Sequence, residues 1–91
     1  MAKQIWKYRI TPYYTSIGMP KGAEVLTVQT QNGCPCMWAM VDSDQRIEVR
    51  TFQAYGTGHA LPDTPTEKKY IGTFQMDVLV FHLFELVNPN N

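Results

Sequence analysis

The Asn32-Gly33 pair lies between two runs of strand-forming residues, Ala23 to Gln31 and Cys34 to Asp42, and it constrains the fold more than any other feature of the chain. Asn-Gly is the dipeptide that most readily takes two consecutive positive φ values, so it specifies a two-residue type I′ turn joining antiparallel strands. Such a turn fixes register. It sets Gln31 opposite Cys34, Gln29 opposite Cys36, Thr27 opposite Trp38 and Val25 opposite Met40 on one face. Val28 opposite Met37 and Leu26 opposite Ala39 fall on the other. Both faces are partly apolar, more than a one-sided sheet needs, which points to a second layer, a partner chain or a ligand. Pro35 falls opposite Thr30 in a non-hydrogen-bonded pair, so its missing N–H points away from that partner. The strand's outer side near Pro35 is therefore expected to be unpaired.

Alternation with a period of two continues along the chain, and no window carries the apolar stripe of an amphipathic helix. Ile5 to Ile10 alternates Trp6, Tyr8 and Ile10 with Lys7 and Arg9, and Pro12 ends that strand. A short strand over Tyr13 to Ile17 leads into a turn at Met19-Pro20-Lys21-Gly22. Asp42-Ser43-Asp44 closes the central hairpin's second strand, and a fourth strand runs to about Tyr55. Ile47 and Val49 are odd-numbered whereas Phe52 and Ala54 are even, a parity change that predicts a bulge near Arg50 or Thr51. Gly56 to Lys69 reads as a long exposed loop, and loops of this length are usually functional or mobile. Tyr70 to Gln75 and Val78 to Leu86 form a second hairpin about Met76-Asp77. In its last strand Leu79, Phe81 and Leu83 share one face and Val80, His82, Phe84 and Leu86 the other, so the strand is either central or part of a subunit interface. The pattern predicts an all-β fold, a small antiparallel barrel or two-layer sandwich of six or seven short strands. Residues 1–87 read as a single β-domain and 88–91 as a polar C-terminal tail.

Ninety-one residues make one domain near the lower size for an unstapled core, so oligomerisation would help it. Lys plus Arg and Asp plus Glu balance at 8 each, which disfavours a nucleic-acid partner. Val78 to Leu86 is interrupted by His82 and Glu85 and is too short to span a bilayer, and Met1 to Lys7 lacks an apolar signal core. The expectation is a cytoplasmic protein with no membrane partner. Cys34 and Cys36 are the only cysteines. On one strand face their Cα atoms would lie roughly 6.5–7 Å apart, where a disulfide is strained. One Cys-x-Cys supplies two ligands for His59 or His82 to complete, so no metal site and no cofactor is predicted.

Gly56-Thr57-Gly58-His59 is the leading candidate site, because glycines let backbone N–H groups approach an anion while Thr57 and His59 add side-chain hydrogen bonds. Both glycines also serve simply to turn the chain. Gln29 and Gln31, beside Trp38 on one hairpin face, could read the polar edge of a ligand or partner or face water. Trp6, Tyr8, Trp38, Tyr55 and Phe74 could stack a planar ligand, although most fit a core. His82, between Phe81 and Leu83, reads as a buried, hydrogen-bonded core histidine.

The order Ile5-Trp6-Lys7-Tyr8, Met19-Pro20-Lys21-Gly22-Ala23 and Val28-Gln29-Thr30-Gln31-Asn32-Gly33 resembles a family of small uncharacterised phage and bacterial proteins, a domain of unknown function. Trp38-Ala39-Met40-Val41-Asp42, Gly56-Thr57-Gly58-His59, Tyr70-Ile71-Gly72-Thr73-Phe74 and Val80-Phe81-His82-Leu83-Phe84-Glu85 continue it over nearly the whole chain. The resemblance implies a phage or prophage accessory protein, located in the host cell cytosol. The family pattern carries one Cys in this hairpin, which makes Cys34 a local variation and weakens any paired-cysteine mechanism.

The leading functional expectation is a non-catalytic, homo-oligomeric binding module acting by occupancy of a host protein. Its contact residues are Gln29, Gln31, Trp38, Gly56, Thr57, Gly58 and His59. Sequestration of a small anionic or nucleotide-like ligand is one alternative. The other is a small enzyme with His59 or His82 as general acid/base and Asp63 or Glu67 as an orienting carboxylate.

Overall fold

A computed structural model describes residues 3–62 and 67–87, which form seven antiparallel strands and, among the described residues, no helix. In chain order these are β1 Lys3–Arg9, β2 Tyr14–Pro20, β3 Glu24–Gln31, β4 Cys34–Asp42, β5 Ile47–Gly56, β6 Glu67–Met76 and β7 Leu79–Val87. They build a three-stranded sheet ordered β1-β4-β3 and a four-stranded sheet ordered β2-β5-β7-β6. The two layers are sandwich-like, with no closed barrel. Asp63, and the tail at 88–91, lie outside the described residues.

Asn32 and Gly33 have φ of 51° and 79°, the double positive pair of a type I′ turn. The register it imposes runs from Gln31↔Cys34 through Gln29↔Cys36 to Thr27↔Trp38, and then shifts. Val25 pairs with Ala39 and Glu24 with Met40, because a bulge at Leu26 adds one residue to β3. The bulge lets Val25 and Val28, of opposite parity, both face inward, and leaves Leu26 exposed.

The outer side of β4 is not open near Pro35. β1 pairs along it from Lys3↔Asp42 to Arg9↔Cys36, and Ile10 N–H donates to the Pro35 carbonyl at 3.1 Å. Pro35 thus sits at the last rung, where β1 leaves the sheet, so its missing donor leaves only the closing bond unmade. Nor is there a bulge in β5, whose ladders with β2 and β7 run without a shift. Its parity change has another cause: Ile47 and Val49 lie on the exposed outer face, while Phe52 and Ala54 are buried. The four-stranded sheet instead bulges in β6, between Tyr70 and Gly72. The β6–β7 hairpin turns at Asp77-Val78, one residue later than the pattern suggested, with Met76 paired to Leu79 and Asp77 at φ 57°.

Both bulges lie on the strands whose edges meet across the layers. Thr30 Oγ1 donates to the Gln75 carbonyl, and a Cβ at Gly72 would lie 2.9 Å from Val28 Cγ1. Between the sheets Met19, Met37, Val41, Phe52 and Leu83 are fully buried. Phe74 stacks on Phe81 at 5.5 Å between centroids. β7 lies inside the sheet between β5 and β6, one of the places its apolar pattern allowed, but it buries only the face of Phe81, Leu83 and Glu85 and leaves Val80, His82, Phe84 and Leu86 half-exposed.

An ion pair joins neighbouring strands β5 and β7 on the inner side of the four-stranded sheet. The Arg50 guanidinium grips Glu85 through Nε at 2.7 Å and a second nitrogen at 2.8 Å, and also donates to the Ala23 carbonyl beside β3. The Glu85 hydrogen bond holds the Arg50 pKa above its ordinary value despite burial. An arginine anchored in one sheet thereby reaches the chain of the other.

Candidate functional site

Turns gather at one end of the sandwich. Gly56-Thr57-Gly58-His59 is a β-turn closed by His59 N–H to the Gly56 carbonyl at 3.0 Å, and Gly58 takes φ 88° at its third position, as a type II turn requires. Gly56 is needed for a different reason. The His59 ring lies over it, 2.9 Å from where a Cβ would stand. The amides of Thr57 and His59 are already spent, on Val80 and Gly56 carbonyls, so the turn does not present them to an anion.

On one side of this turn an open groove of about 380 Å³ is lined by Tyr13, His59, Val78, Leu79 and Phe81 among others. It shares Tyr13, Leu79 and Phe81 with a second depression of about 360 Å³ that reaches Pro12 and Gly33. The result is a continuous apolar channel from the Gly56–His59 turn to the Asn32-Gly33 tip. Its side chains are solvent-facing: Val78 is 83%, Tyr13 66% and Leu79 58% exposed. These residues were not singled out by sequence reasoning. Only fold topology brings residues 12–13, 33, 56–59 and 77–79 together.

On the other side of the Gly56–His59 turn, Tyr55, His59, Leu61, His82 and Phe84 border a smaller pocket of about 210 Å³. His82 is half-buried on the outward face, not in the core, because the β7 alternation sends Phe81, Leu83 and Glu85 inward. Its Nε2 lies 2.7 Å from Thr57 Oγ1 and its Nδ1 3.0 Å from Thr73 Oγ1, which in turn lies 2.6 Å from Tyr70 Oη. Thr57 Oγ1 also reaches the Val80 carbonyl, at 3.4 Å. With Thr57 donating to Val80, it accepts from Nε2–H, and Thr73 donates to Nδ1. His82 is therefore a bracket that ties the Gly56–His59 turn to β6. The hydrogen-bonded half of its sequence reading holds and the core placement does not. Thr73, its cross-strand neighbour, could be found only once the β6–β7 register was known.

The hairpin residues stand elsewhere. Gln29, Gln31, Cys34, Cys36 and Trp38 share the outer face of the three-stranded sheet, joined there by Lys7 and Arg9 of β1. Lys7 Nζ donates to Gln31 Oε1 at 2.8 Å, and Arg9 donates to Cys34 Sγ at 3.2 Å. Gln31, Asn32, Lys7, Arg9 and both cysteines line a shallow depression of about 260 Å³. Both cysteines are free thiols. The two predicted groups, Gln29–Gln31–Trp38 and Gly56–His59, thus occupy different surfaces, separated by the Asn32-Gly33 tip.

Of the two carboxylates proposed for the histidines, Asp63 lies outside the described residues and Glu67 is not beside His82. Glu67 pairs with Val87, five residues along β7 from His82, roughly 17 Å at strand rise. Among the described residues no group of three or more His, Cys, Asp or Glu side chains is arranged to hold a metal ion. No helix among them is long and apolar enough to cross a membrane.

No curated protein and no solved structure shows significant similarity to the chain. A family model described as Domain of unknown function (DUF7352) matches residues 1–91. The chain that carries this sandwich, its apolar end groove and its basic outer face belongs to the DUF7352 family.

Proposed function

We propose that this protein is a non-catalytic binding module that self-associates through the apolar groove at its turn-rich end and acts by occupancy of a partner protein. The observation that carries this reading is the unbroken run of exposed apolar side chains, Tyr13, Val78 and Leu79, over a channel floored by Phe81. Large exposed apolar patches on small domains mark interaction sites, and covering this one would supply the burial a 91-residue chain has little room to obtain alone. The polar groups nearby favour binding over turnover. His82 is held on both ring nitrogens by threonines, and the turn amides of Thr57 and His59 are already bonded within the chain. If the chain is phage-encoded, as its family resemblance implies, the site of action is the host cytosol. Leu79→Asp places a charge in the groove without touching a core position, and it is expected to convert the assembly to monomers while leaving the circular dichroism spectrum unchanged. Persistence of the oligomer in that variant would remove the groove from the interface.

A further inference from the structure

Strand β1 is an edge, paired only with β4. Ile10 N–H bonds Pro35 of β4, so by antiparallel alternation the backbone groups of Tyr8, Trp6 and Gln4 face β4, while those of Lys3, Ile5, Lys7 and Arg9 face the open side. These same four residues carry their side chains on the outer face. Lys7 and Arg9 are exposed and make hydrogen bonds to neutral partners, Gln31 and Cys34. No carboxylate among the described residues pairs with Lys7 or Arg9. Ile5, between the cations, is 63% exposed.

We infer that the β1 edge accepts an extended acidic segment of a partner protein as an added antiparallel strand, with carboxylates opposite Lys7 and Arg9 and an apolar side chain opposite Ile5. Backbone bonds to Ile5, Lys7 and Arg9 provide the affinity, and the alternating charge selects the sequence. A second copy of β1 does not fit, since antiparallel self-pairing sets lysines and arginine against one another, the device by which edge strands avoid self-association. This inference rests on the binding-module reading but uses a surface separate from the apolar groove.

The test is titration of the full chain with a ten-residue peptide carrying Glu, Glu and Val at three successive alternate positions, to face Arg9, Lys7 and Ile5, with Thr elsewhere, followed by amide hydrogen exchange. Saturable one-to-one binding is expected, with slowed exchange at the Ile5, Lys7 and Arg9 amides. Lys7→Gln/Arg9→Gln, which retains exposed polar side chains on the strand, should weaken binding at least tenfold. The same peptide N-methylated along its pairing edge should lose binding to a similar degree. Equal affinity of the N-methylated peptide would overturn strand addition, and tighter binding of a ten-residue oligothymidylate at the same residues would overturn the acidic-peptide assignment in favour of nucleic acid. Leu79→Asp should leave peptide affinity unchanged, so failure at β1 and failure at the groove are separately visible.

Discussion

Tyr8 and the Arg50–Glu85 pair show how single residues set the energetics of the interior. The Tyr8 hydroxyl is buried and has no hydrogen-bond partner, and burial pushes its pKa above the ordinary 10.0 against a smaller opposing effect from the Arg50 charge. The fold accommodates the neutral phenol. That contribution is complete below pH 10.0 and is lost as pH rises through the higher folded-state value. Ultraviolet titration should show one of the five tyrosines ionising late, coincident with alkaline loss of structure, and Tyr8→Phe should abolish the late step. Because an unmade buried hydrogen bond is removed, the same variant should be about 1 kcal/mol more stable to urea. Arg50→Met acts in the opposite direction, leaving the Glu85 carboxylate, 11% exposed, without its bidentate partner. Since the Arg50 side chain retains 22% exposure, we discount the loss for water access to about 2–3 kcal/mol, and Arg50→Met/Glu85→Leu should recover most of it. Equal destabilisation in the single and double variants would show that packing, not charge pairing, is what matters there.

At the scale of elements, the β3–β4 turn was legible because Asn32-Gly33 carries its own backbone chemistry. Gly33 holds φ 79° with open space around its Cβ position, so Gly33→Ala meets only backbone strain, about 1–2 kcal/mol. Gly72 differs. Its cost is steric contact with Val28 across the layers, so Gly72→Ala should destabilise and Val28→Ala should partly rescue it in a double-mutant cycle, whereas additive losses would contradict that contact. The same contrast separates what alternation could and could not foretell. Alternation located the strands, apart from the Glu67–Lys69 start of β6 that read as loop, and it divided the β7 side chains between two faces, of which only that of Phe81, Leu83 and Glu85 is buried, because side-chain direction is a local property. The bulges at Leu26 and Ile71 are not local. They arise where two sheet edges must bend toward each other, and neither residue type announces it. In β5 the parity change mimicked a bulge because Ile47 and Val49 are apolar but exposed, and apolar identity alone does not distinguish buried from surface positions.

For the whole molecule, the candidate site was only half visible. Gly56, Thr57, Gly58 and His59 were legible as a turn with chemistry beside it, and they do border the groove. Tyr13, Val78 and Leu79 were not, since Tyr13 belongs to a different local pattern from Val78 and Leu79 and they meet only when two hairpin tips and two loops converge at one end. The hairpin face bearing Gln29, Gln31 and Trp38 was placed correctly as a surface, but Lys7 and Arg9, which give it its charge, arrive by the β1–β4 pairing that Pro35 seemed to forbid. The molecule that emerges has an apolar end and a basic edge, divided by the Asn32-Gly33 tip. Native mass spectrometry at micromolar concentration tests its central claim most directly. The wild-type chain should appear as a homo-oligomer that Leu79→Asp reduces to monomer, and a wild-type chain that is strictly monomeric under those conditions would contradict the account.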